Sequence, residues 1–87
     1  MSMPVHVRSR TGFRTTAVVT NLTEDGCSLR FGSSQESMGR DIIIQPEGME
    51  GWAGRVVWKQ ESSIGLQFEH RLYGPVVEHL VKRFPAS

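Results

Sequence analysis

Along most of this chain apolar and polar positions alternate with a period of two. Val5 and Val7 alternate with His6 and Arg8, which predicts a half-buried strand beginning near Pro4. Phe13 to Leu22 is rich in β-branched residues (Thr15, Thr16, Val18, Val19, Thr20) and predicts a long second strand. Glu24-Asp25-Gly26 is a turn signal, after which Cys27, Leu29 and Phe31 alternate with Ser28 and Arg30. Residues 32–40 read as a polar loop. Asp41 to Gln45, nearly all isoleucine, predicts a fourth strand covered on both faces. Trp52, Gly54, Val56 and Trp58 share one parity of a fifth strand, and Ile64, Leu66 and Phe68 one parity of a sixth.

The tail changes period. Val77, Leu80, Val81 and Phe84 recur at helical spacing, Pro75 suits a first helical position, Lys82 and Arg83 suit the negative end, and Pro85 stops the helix. The chain thus reads as mainly β: one domain over residues 1–87, a small six-stranded antiparallel β-barrel over about 4–70, and one C-terminal α-helix over about 74–84. The helix is expected to lay its apolar face on the barrel.

The first hairpin can be placed in register. A three-residue loop, Arg10-Thr11-Gly12 with Gly12 left-handed, pairs Ser9 with Phe13. Val5 then faces Ala17 and Val7 faces Thr15, with Phe13 and Val19 on the same apolar side. Arg8 falls directly across from Arg14 on the other face, beside His6 and Thr16. Like charges so placed repel unless an anion lies between them.

At 87 residues, with 38% hydrophobic and 22% charged, the chain suits one folded domain rather than a disordered one. The lone Cys27 precludes an internal disulfide and fits a reducing compartment. The amino end has no apolar stretch like that of a signal peptide, and Ile42-Ile43-Ile44 is far short of a span, so a cytoplasmic protein without membrane insertion is expected. Net charge is +1, yet residues 1–23 hold Arg8, Arg10 and Arg14 and no acid, while the rest holds seven basic against nine acidic groups, a net −2. With so little net charge and no basic residues interleaved with aromatics, nucleic acid is not an expected partner.

Catalytic patterns are lacking. His6, His70, His79 and Cys27 show no metal-ligand spacing, Cys27 reads as a small buried hydrophobe, and neither a serine elbow nor a phosphate-binding glycine loop occurs. A non-enzyme with no metal and no cofactor is expected. The segment with chemistry to offer is Asn21-Leu22-Thr23-Glu24-Asp25-Gly26: an amide suited to a base edge, a hydroxyl, and a glycine that permits positive φ and close approach of a flat ligand.

Asn21-x-Thr23-x-x-Gly26 resembles the [D/N]-x-S-x-x-G motif of PilZ domains, with threonine in the serine place. AVVTNLTEDGCSLRF, GRVVWKQ and SIGLQFEH are similar, in that order, to the family's strand–motif–strand segment and its last two strands. The resemblance covers residues 13–84. It implies a bacterial signalling module that binds the second messenger cyclic di-GMP between that turn and an RxxxR arginine pair. Asn21, Thr23 and Gly26 would lie on one side of the ligand, and Arg8, Arg10 and Arg14 on the other. Arg10 and Arg14 have the RxxxR spacing but fall in the first hairpin, whereas the family carries the pair before its first strand; a natural chain with a longer amino end would supply such a segment. The alternative is a PilZ-like barrel that does not bind the nucleotide and acts as a protein–protein adaptor, for example in pilus or motility control.

Overall fold

In the computed structural model, which describes residues 1–32 and 39–86, the chain forms β1 (Met3–Ser9), β2 (Arg14–Leu22), β3 (Gly26–Arg30), β4 (Asp41–Pro46), β5 (Trp52–Gln60), β6 (Ser63–Phe68) and α1 (Gly74–Arg83). The strands close into an antiparallel barrel in the order β1-β2-β3-β6-β5-β4. Period-two patterning dictates which side chains fill it. On β1, Met3, Val5 and Val7 are buried and Pro4, His6 and Arg8 exposed. Leu29, Ile44 and Val19 are completely buried, and Trp52 meets Phe68 edge to face at 5.6 Å.

The first hairpin follows its expected register: Val5 faces Ala17, Val7 faces Thr15 and Arg8 faces Arg14. Gly12 has φ +98°, and Ser9 N donates to the Phe13 carbonyl at 2.8 Å. Ser9 is buried, and its Oγ accepts from Phe13 N at 3.0 Å and bonds Thr11 Oγ1 at 2.9 Å, so the loop supplies the partners that a buried hydroxyl needs.

Three expectations are corrected. Phe13, assigned to the apolar side, lies before β2 begins and is 38% exposed. β4 is covered on one face only: Ile42 and Ile44 are buried, but Ile43 is half-buried on the outer wall, because one short helix cannot blanket a barrel. On α1 the contact face is rotated: Leu80 is buried and Val76, Val77 and Phe84 pack against the core, while Val81 is exposed. Of the expected polar loop over 32–40, residues 33–38 lie outside the described residues.

Cys27 is buried, and burial pushes its thiol from 9.0 up to about 12. The unfolded chain therefore gives up this proton first. This group's contribution is full below pH 9.0 and declines as the pH rises from there toward about 12. A thiol-alkylating reagent at neutral pH is expected to leave the folded protein unlabelled and to label it fully in denaturant; rapid labelling under native conditions would contradict this burial.

Candidate functional site

The turn between β2 and β3 is built by Thr23. Its backbone N donates to the Gly26 carbonyl at 2.9 Å, and its Oγ1 accepts from Asp25 N at 3.3 Å and Gly26 N at 3.2 Å. The same hydroxyl gives its hydrogen to the Gly26 carbonyl at 3.2 Å. That hydrogen is spent inside the turn, so Thr23 shapes the site rather than reaching into it. Gly26 also differs from its sequence reading. It is not among the residues of positive φ, and a Cβ there would run into the backbone carbonyl of Leu66. The glycine admits the neighbouring strand β6, not a ligand.

Asn21 is exposed, and its side-chain amide makes no hydrogen bond to a described residue. Its outward orientation comes from an irregularity. The β2–β3 register shifts between Val19 and Asn21, so Thr20 and Asn21 both escape the core before Leu22 returns to it. A second shift, between Val56 and Trp58 on β5, sends Val57 and Trp58 outward together. This overturns the single parity expected for Trp52, Gly54, Val56 and Trp58. The two shifts bring Asn21 and Trp58 into one cross-strand row: Asn21 faces Ser28, Ser28 faces Gly65, and Gly65 faces Trp58.

At roughly 4.8 Å per strand, the row is about 14 Å wide. Ser28 keeps the row low beside Asn21, while the Trp58 indole lies over Gly65, where an added Cβ would overlap it. The result is a shallow trough of about 320 Å³ whose lining also includes Gln67 and Val57. Two cations belong to the neighbouring outer-face positions. Arg30 lies two residues along β3 from Ser28, and Arg55 faces Gln67 on β6. Arg55 Nε is 3.7 Å from Asp41 Oδ1, a loose and exposed pair. At the turn, Arg71 contacts Glu24 Oε1 and Asp25 Oδ1, each at 3.2 Å, and Leu72 N donates to the Glu24 carbonyl at 2.8 Å.

The hairpin arginines do not join this trough. Arg14 lies seven residues before Asn21 on an extended strand, roughly 23 Å along it. Arg8 and Arg14 line a separate cleft on β1, β2 and β4, and Arg10 lines a small one with Asp41 and Glu69. The six residues singled out in the sequence thus fall into three places: Asn21, Thr23 and Gly26 at the turn, Arg8 with Arg14, and Arg10. Trp58 escaped sequence reasoning because face assignment by alternation fails past a bulge; Gln67, Arg30, Arg55 and Arg71 escaped it because alternation along one strand does not reveal which outward residues of different elements become neighbours.

Among the described residues no group of three His, Cys, Asp or Glu side chains is placed to hold a metal ion, and no helix is long and apolar enough to cross a membrane. No protein-family model, curated protein or solved structure matches the chain.

Proposed function

We propose that this chain is a PilZ-like signalling module that binds cyclic di-GMP in the trough across β2, β3, β6 and β5, without catalysing a reaction. The observation that carries the reading is the row Asn21–Ser28–Gly65–Trp58, in which two bulges set an exposed amide at one end and an indole, laid over Gly65, at the other, with Ser28 between them. An amide has donors and acceptors for a guanine edge, and an indole offers a stacking surface. Arg30 and Arg55, on opposite sides of that row, supply guanidinium groups for the two phosphodiesters. Thr23 and Gly26 hold the turn and keep β3 tight against β6. A lone buried thiol fits the reducing, cytoplasmic setting of such a module.

A second reading rests on a different observation. Val57 is 56% exposed and Trp58 45% exposed, side by side on one bulge, an apolar pair of the kind found at protein contacts. In that reading the barrel is an adaptor and the trough takes a partner's side chain.

Titration calorimetry with cyclic di-GMP separates the two. The receptor reading expects a dissociation constant of roughly micromolar order. It also expects Asn21→Ala and Trp58→Ala each to weaken binding by about tenfold or more, since base stacking alone is worth ~1–3 kcal/mol. No heat from a protein with an intact folded spectrum would exclude the receptor and leave the adaptor.

A further inference from the structure

Arg8 and Arg14 stand directly opposite one another on the outer wall of the barrel. Ser9 and Phe13 next to them are a hydrogen-bonded pair, so strand alternation makes Arg8–Arg14 the closer, non-hydrogen-bonded kind, with Cα atoms about 4.5 Å apart. Both guanidinium stems leave the same face from neighbouring points. The ion pairs among the described residues engage Arg55 and Arg71, not these two. Among the described residues no carboxylate lines their cleft of about 230 Å³; the other polar side chains there are His6, Gln45 and Thr15. His6 and Gln45 face each other across β1 and β4, beside the arginines. Two like charges placed this way raise the free energy of the empty protein.

We propose that Arg8 and Arg14 form an oxyanion site for a phosphate monoester group, with His6 and Gln45 as side donors. The tetrahedral group presents three free oxygens, enough for two guanidinium forks to bond at once, and arginine's planar fork matches that arrangement. The cleft is small enough for the group itself and lies on strands β1, β2 and β4, away from the trough's floor on β3 and β6. The site is independent of cyclic di-GMP binding, and either can fail alone.

The test titrates the whole chain with inorganic phosphate and, separately, O-phosphoserine, following backbone amide shifts by NMR against chloride at matched ionic strength. Both ligands are expected to shift the amides of Arg8, Arg14 and Gln45 with dissociation constants in the millimolar range or tighter. Arg8→Gln and Arg14→Gln are each expected to weaken binding by about tenfold. Equal affinities identify the free ion as sufficient, and tighter O-phosphoserine identifies a phosphorylated side chain as the source; both support the site. Melting curves add a change of sign. Without phosphate each variant is expected to melt above the unsubstituted protein, because repulsion is relieved. With phosphate the unsubstituted protein gains and the variants do not. Shifts scattered over the surface, or phosphate stabilising protein and variants alike, would overturn the proposal. Cyclic di-GMP shifts confined to Asn21, Ser28 and Trp58 and unchanged in Arg8→Gln would keep the trough apart; the same shifts moved to Arg8 and Arg14 would overturn the trough and leave the phosphate site standing.

Discussion

Gly26→Ala is expected to cost about 3 kcal/mol of stability, on the order of 10–20 °C in Tm for a domain of this size. The added Cβ would overlap the Leu66 carbonyl, which is backbone and cannot swing aside. Relief requires β3 to part from β6 where Gly26 faces Gln67 and Cys27 faces Leu66. The bond from Phe68 N to the Asp25 carbonyl, 2.8 Å, would open with them. Circular dichroism melts provide the measurement, and a variant melting within a degree or two of the parent would refute the close approach. The substitution also bears on function: Gly26→Ala should weaken any ligand of the trough through loss of fold, so it is a poor probe of contact, whereas Asn21→Ala is a clean one.

Leu29→Ala should be comparably severe. Leu29 is completely buried on the inner face of β3, between Val19 of β2 and Ile64 of β6. Truncation to alanine at such a position removes about 2–5 kcal/mol through lost transfer energy and the remaining cavity. A chain this small has a modest core to spend against that loss. Urea unfolding is expected to show a lower midpoint with an unchanged slope, since the fold and the surface exposed on unfolding stay the same. A midpoint equal to the parent's would mean that the barrel wall collapses into the space at no cost.

Much of this architecture is legible in the chain because β1, β3, β4 and the first half of β2 keep strict alternation with one buried face. The β1–β2 hairpin shows it best: only a three-residue loop with Gly12 left-handed gathers Val5, Val7, Ala17 and Val19 on one side, and that register is the one found. The helix start follows from Pro75 in the same way. What alternation cannot reveal is an inserted residue. A bulge at Thr20/Asn21 or at Val57/Trp58 changes which face every later side chain takes, and it is fixed by the partner strand rather than by the residues themselves. Alternation therefore places Trp58 on one parity with Trp52, Gly54 and Val56, and its row with Asn21 is invisible in the sequence. The arginines illustrate a different limit. Arg14 and Asn21 are close in sequence, but an extended backbone converts seven residues into most of the barrel's height. Gly26 marks a third: the spacing of a motif does not say whether a missing side chain makes room for a guest or for the protein's own backbone.

Each of the six strands has a bonded neighbour on both sides, β1 meeting β4 as well as β2. Among the described residues strand addition is consequently confined to overhanging ends such as Val57–Gln60 of β5, which β6 flanks and β4 does not reach. Elsewhere on the wall, whatever docks must recognise side chains. A handful of surface substitutions could then rewire its associations while the cylinder beneath stays as it is.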